Sequence, residues 1–261
     1  MLRRVFFASA FVCTLISSQS VFAQGSDGSA LRLGASPWSL SFTTGPDFMY
    51  AKSTYRSTGA QAPLDASSSH TGALICGGVN GYWPMPGLMP SGYNGTYGGG
   101  INICGVAGGK SELFRYIVHP AGGAFTATVD PGLRIEAYVG LHWDAFGPER
   151  TNPYLFMRVG PVFAENKVSV TSDQTGAGGR LESASRSDWN VGAGVELGIA
   201  SPLCDKCAFG NPLRWSVSGK GYWFGAGPSV SVTSSTFGFT ETARISRSSE
   251  YSINLGLNMR F

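Results

Sequence analysis

The last eleven residues, YSINLGLNMRF, alternate without a break, and that pattern admits few folds. Tyr251, Ile253, Leu255, Leu257, Met259 and Phe261 fall on one face of an extended strand. Ser252, Asn254, Gly256, Asn258 and Arg260 fall on the other. The same period recurs upstream. LRWSVSGKGYW (213–223), WNVGAGVELGI (189–199), YLFMRVGPVF (154–163) and LRIEAYVGLHWD (133–144) each carry one apolar face. Each is about ten residues long, the length needed to cross a bilayer as a strand tilted by ~45°. Outward-facing Trp143, Trp189, Trp215, Trp223, Tyr251 and Phe261 lie at or beside segment ends, where an interfacial aromatic girdle belongs. Hydrocarbon offers no partner to a backbone N–H or C=O, so such a sheet has to close on itself. Closure also accounts for the greasy terminus, because a closing strand is bonded on both edges.

The opposite face points the same way. It mixes glycine with isolated charges of both signs: Arg134, Arg158, Lys220 and Arg260 against Glu136 and Glu196. Small residues and opposed charges suit the crowded lumen of a narrow barrel. A buried charge left alone is costly, so Glu136 and Glu196 are expected to be bridged by basic lumenal residues, chiefly Lys220 and Arg158. Composition agrees with an all-β chain: 37 Gly, 12% aromatic and only 13% charged. A formal charge of +3 with scattered basic residues gives no basis for nucleic-acid binding.

Arg3 and Arg4, an apolar run from Val5 to Ile16, and Val21-Phe22-Ala23 before Gln24 read as a secretory signal peptide over residues 1–23. Residues 24–261 are then expected to form a single barrel domain. Four cysteines remain: Cys76, Cys104, Cys204 and Cys207. In an exported chain an even count points to disulfides. Of the three connectivities, the sequence-local one, Cys76 with Cys104 and Cys204 with Cys207, is expected, with the two pairs at opposite ends of the barrel. A pair of glutamates or a CDKC spacing suggests chemistry elsewhere, but here both sit in strand-and-turn surroundings that give them structural roles.

In the first half, WSLSF (38–42) begins a strand that extends past Pro46, and ELFRYIVH (112–119) and FTATVD (125–130) are further strands. About 56–110 reads as a long Gly/Ser/Asn/Pro-rich loop, with 164–188 and 225–249 as two more. Short turns fall near 147–153 and 201–212. Alternating long loops and short turns is the asymmetry of an outer-membrane barrel.

The run WNVGAGVELGI, LRWSVSGKGYW, loop, YSINLGLNMRF resembles the C-terminal half of the opacity-type porin-family proteins, which include outer-membrane immunogenic proteins. The resemblance covers roughly residues 154–261. It implies an antiparallel up-and-down transmembrane β-barrel of eight strands in the Gram-negative outer membrane. Ten strands remain the alternative, since the 56–110 region has room for two. The alternation ending in Phe261 is similar to the signal read by barrel-assembly machinery, which makes that machinery and outer-membrane lipid the expected partners. The family implies a structural or surface-recognition role, as adhesin or antigen, toward a host or envelope ligand. A diffusion pore of ten or more strands is the alternative. An outer-membrane lipid hydrolase built on His70 or His142 ranks third. No enzymatic activity, cofactor or metal is expected.

Overall fold

The computed structural model describes residues 38–59, 63–84, 95–117, 123–144, 153–209 and 211–260. The expected signal peptide and Phe261 lie outside them. Ten strands follow in order: β1 Trp38–Ser57, β2 Leu64–Pro84, β3 Gly95–Ala107, β4 Ser111–Ile117, β5 Ala124–Asp144, β6 Tyr154–Asp173, β7 Leu181–Ala208, β8 Asn211–Phe224, β9 Ser229–Thr233 and β10 Thr240–Arg260. A single 3-10 turn, Thr175–Ala177, lies between β6 and β7.

These ten strands make eight staves. β3 runs along one edge of β5 until Gly105 meets Leu133, and β4 resumes on that edge where Ser111 meets Val129. β8 and β9 share an edge of β10 in the same way, with Phe224 opposite Ser248 and Ser229 opposite Arg244. Every ladder is antiparallel between chain neighbours, and β1 pairs with β10 to close the ring. The expected fold class, an eight-stranded up-and-down barrel, is the observed one. At Gly45 the walls are close: a Cβ there would sit 1.8 Å from the Ile253 carbonyl oxygen. Next to it Pro46 has no N–H to give, and the β1–β10 ladder skips both residues.

The staves are about twice the expected length, 20 or 21 residues in β1, β2, β5, β6 and β10. The expected long loops are therefore mostly strand. Residues 56–110 hold β2 and β3, 164–188 hold the ends of β6 and β7, and 225–249 hold β9 and half of β10. The segments 125–130 and 133–144 form one strand, β5, broken only by a bulge between Pro131 and Arg134.

Length doubles because polarity inverts halfway along. We call the end holding Trp38 and Arg260 proximal and the other end distal. In the proximal half the outward residues are apolar: Phe42 and Phe48 on β1, Leu155, Met157 and Phe163 on β6, Val191 and Leu197 on β7, and Ile253, Leu255 and Leu257 on β10 are all exposed. Beyond Tyr50, Phe163, Trp189 and Tyr251 the same outward rows become Lys52, Thr54 and Arg56; Glu165, Lys167 and Ser169; Ser187, Ser185 and Ser183; Arg247 and Arg244. The inward rows invert in the opposite sense. Met49, Ala51, Tyr55, Phe114, Phe125, Val129, Val168, Val170, Val230, Val232 and Ile245 pack as one buried apolar cluster in the distal half. Among the described residues no ladder joins β2 to β4 or β7 to β9. The distal half is thus two sheets, β9-β10-β1-β2 and β4-β5-β6-β7, closed over a core as in a sandwich.

Candidate functional site

Three ionic layers fill the proximal lumen. In the first, Arg158 Nη1 lies 3.2 Å from Glu196 Oε2, and the two residues are directly opposed on β6 and β7. The Arg158 guanidinium also covers Phe156 at 4.7 Å and Tyr138 at 4.9 Å from their ring centres. In the second, Lys220 Nζ lies 3.0 Å from Glu136 Oε2. Asn102 Nδ2 donates to the same oxygen at 3.0 Å, and the Tyr222 hydroxyl donates to Glu136 Oε1. In the third, Arg134 bridges Asp47, at 3.1 Å, and Glu250. All seven charged groups are buried.

Glycine on β7 makes room for this. A Cβ at Gly192, Gly194 or Gly198 would run into Phe224, Tyr222 or Phe156, so the rings take the space a side chain would have used. Beside Glu136, Arg158, Glu196, Lys220 and Tyr222 lies a void of about 20 Å³, room for roughly one water. Above the third layer the apolar cluster shuts the lumen, and a polar cap covers it. Tyr55 donates to Glu241 at 2.9 Å, Ser172 donates to the other carboxylate oxygen, Gln174 Nε2 donates to Ser172 at 3.0 Å, and Ser234 donates to Gln174 at 2.7 Å. Burial, and after it the Glu241 carboxylate, raises the Tyr55 hydroxyl above its ordinary range.

Of the residues singled out in the sequence, Arg134, Glu136, Arg158, Glu196 and Lys220 all face the lumen; Lys220 meets Glu136 and Arg158 meets Glu196, an assignment the alternation alone does not make. Arg260 is placed by its backbone, opposite Ser39. Tyr251, Ile253, Leu255 and Leu257 face outward. Met259 follows them, opposite Leu40. Asp47, Glu250, Tyr222 and Asn102 were missed. Each lies on a polar inward row, which was the available signal. Glu241, which caps the distal core, lay in a stretch read as loop.

The cysteine pairs in the structure are Cys76–Cys104 and Cys204–Cys207. The first does not lie at a barrel end. It joins directly opposed residues of β2 and β3 inside the wall, buried near Glu136. The second sits where β7 turns into β8. Tyr82 and Trp83, in the stretch expected to be loop, lie on β2, and Tyr97 lies on β3. Trp83 packs edge-on against Trp38, with centroids 5.9 Å apart, and lies 6.2 Å from Tyr97, forming part of the proximal aromatic rim. His142 lies in the lumen near the proximal end, 3.9 Å from Tyr82 and stacked on Tyr154 at 4.9 Å. His70 is buried on β2 opposite Met49.

No family model matches the chain, and no curated protein sequence does. Solved structures do. It is similar to the outer membrane protease OmpT from Escherichia coli, at 12% identity and TM-score 0.41 over 89% of this chain and 100% of that one. Neisserial surface protein A is similar at 11% identity and TM-score 0.33, over 87% and 99%. The outer membrane protein OprG from Pseudomonas aeruginosa is similar at 12% identity and TM-score 0.32, over 87% and 97%. The first of these corrects one expectation: a protease is among the barrels this chain resembles, so the exclusion of enzymatic activity does not stand. At these identities and TM-scores the likeness adds nothing beyond the closed barrel that the chain's own ladders show.

Proposed function

We propose that this chain is an integral barrel of the bacterial outer membrane. In this reading its sealed lumen bars free diffusion, and its distal half stands above the bilayer as a surface for recognition, in the manner of an adhesin or antigen. The observation that carries the reading is the inversion of polarity at the row of Tyr50, Phe163, Trp189, Trp223 and Tyr251. Below it an apolar belt about nine to eleven residues tall matches a bilayer crossing. Above it the wall has the polar exterior and apolar core of a protein in water. A distal half of about six or more strand residues per stave stands roughly 15–20 Å clear of the belt, allowing for tilt. Its outer rows are rich in hydroxyls, including Ser67, Ser69 and Thr71 on β2 and Ser183, Ser185 and Ser187 on β7. A rigid, core-supported scaffold of this kind holds a recognition surface at low entropic cost.

The sealed lumen also weighs against the pore reading, which needed more strands and an open channel. Planar-bilayer recording tests this: the expected trace shows no steady conductance, and nanosiemens steps would reject it. Labelling of intact cells tests display. A cysteine-free variant carrying Ser185→Cys should react with a membrane-impermeant maleimide, whereas the same variant carrying Leu197→Cys should not.

A further inference from the structure

The first turns of wall above the belt are not evenly charged. On β1 and β10, Lys52, Arg56, Arg244 and Arg247 all stand on the outer face, just distal to Tyr50 and Tyr251. The acidic residues of the same stretch of β10, Glu241 and Glu250, are buried inside. None of the four cations has an acidic partner among the described residues. An outward carboxylate, Asp65 on β2, stands opposite Thr54, which Arg244 opposes from β10. The other sheet differs: Lys167 neighbours Glu165 on its own outward row, and Arg186 is paired with Asp188 at 3.1 Å.

The cluster depends on a bulge. The β1–β10 register shifts between Lys52 and Ser53, so that Lys52 opposes Arg247 while Ser53 opposes Ile245. Ser246 is the extra residue, and its hydroxyl donates to the Lys52 carbonyl at 3.0 Å. Without it, Arg247 would share the inward phase of Ile245. The bulge therefore turns a second cation outward, directly across from Lys52. Like charges placed opposite one another on a sheet oppose pairing. An anion held between them would relieve that repulsion.

We propose that this patch binds the phosphorylated headgroup of a lipid in the surrounding leaflet. Its acyl chains would lie along Phe48, Tyr50 and Tyr251, and its phosphate would bridge Lys52, Arg247 and Arg244. The proposal rests on the membrane-spanning reading above. Position selects the source: the cations begin one row above the belt, at the depth of headgroups, and a bilayer supplies the apolar half of the ligand in place. Arginine adds fork-shaped recognition of phosphate oxygens.

The test uses nanodiscs of phosphatidylcholine with or without bisphosphorylated lipid A. The wild-type chain should retain lipid A through washing and native mass spectrometry, and its melting temperature should rise by several degrees in lipid A discs. The triple variant Lys52→Gln/Arg244→Gln/Arg247→Gln should retain roughly tenfold less or lower, from attraction lost at each basic residue. Lys167→Gln should retain as much as wild type. Equal retention by wild type and triple variant, with both inserted and heat-modifiable, would overturn the proposal and leave the barrel reading intact. Stabilisation by inorganic phosphate alone to the same extent would overturn the lipid assignment. Failure of the wild-type chain to enter discs at all would overturn the membrane reading beneath it.

Discussion

Arg158 and Glu196 face each other across the β6–β7 ladder, side chains 3.2 Å apart and both almost wholly shut off from solvent. With the Lys220–Glu136 pair they show that the lumen is a packed ionic interior. Charges taken out of water in this way are tolerated only while paired.

Removing one partner should therefore cost far more than removing both. Glu136→Gln is expected to destabilise the barrel by about 3–5 kcal/mol, because it leaves Lys220 without its counter-charge. Glu136→Leu with Lys220→Met should recover most of that loss. Unfolding in urea with the protein in detergent micelles, followed by band shift on unheated gels, measures both. Equal losses for the single and double variants would show that the pair is incidental.

The two disulfides should differ in worth. Cys76–Cys104 closes 28 residues of separation and Cys204–Cys207 only 3. In the chain-entropy account, loss of the first costs roughly 3–4 kcal/mol and loss of the second roughly 1–2 kcal/mol. Paired serine substitutions compared in the same unfolding assay give the order directly.

Tyr55 makes the distal cap sensitive to alkali. Its hydroxyl is held protonated in the fold by burial and by Glu241, so its folded pKa lies above the unfolded value of about 10. A raised pKa means a contribution fully present below about pH 10 and lost as pH climbs through the folded value. Thermal stability should fall above pH 10 in the wild type, and Tyr55→Phe should flatten that part of the profile while lowering stability at neutral pH. A profile unchanged by the substitution would place the alkaline loss elsewhere.

Phe125, wholly buried in the distal core, and Phe163, exposed on the belt, test the inside-out arrangement by packing alone. Phe125→Ala should cost about 3–5 kcal/mol. Phe163→Ala in micelles, where detergent replaces the missing contacts, should cost well under half as much.

The proximal half was legible from the sequence because one phase of alternation persists there through five segments. The lumenal charges followed at once, since Arg158 and Glu196 share the polar phase. The distal half was hidden by a change of phase. On β6 the apolar residues Leu155, Met157, Val159 and Phe163 are odd-numbered, while Val168 and Val170 are even-numbered. Read as one strand this looks like a broken pattern, which the sequence alone presents as the strand's end. On the membrane-spanning reading it marks the bilayer surface, where the apolar face passes from outside to inside with the register intact. On β10 and β5 a bulge offsets the inversion, so that Ile245 keeps the odd phase of Tyr251, and Val129 that of Leu133, although their side chains face opposite ways. The staves β3/β4 and β8/β9 are obscured by breaks at 108–110 and 225–228, and the cap formed by Glu241 depends on tertiary partners that no local pattern displays.

On the membrane-spanning reading the proximal belt touches hydrocarbon and the distal wall touches water. Amide resonances of the protein in nanodiscs carrying a lipid spin-labelled near the end of its acyl chain report this residue by residue. We expect strong broadening at Met157, Leu197 and Leu255 and none at Thr171, Ser185 and Thr242. Equal broadening in the two sets, or a chain that stays dissolved and folded with no lipid or detergent present, would contradict the account.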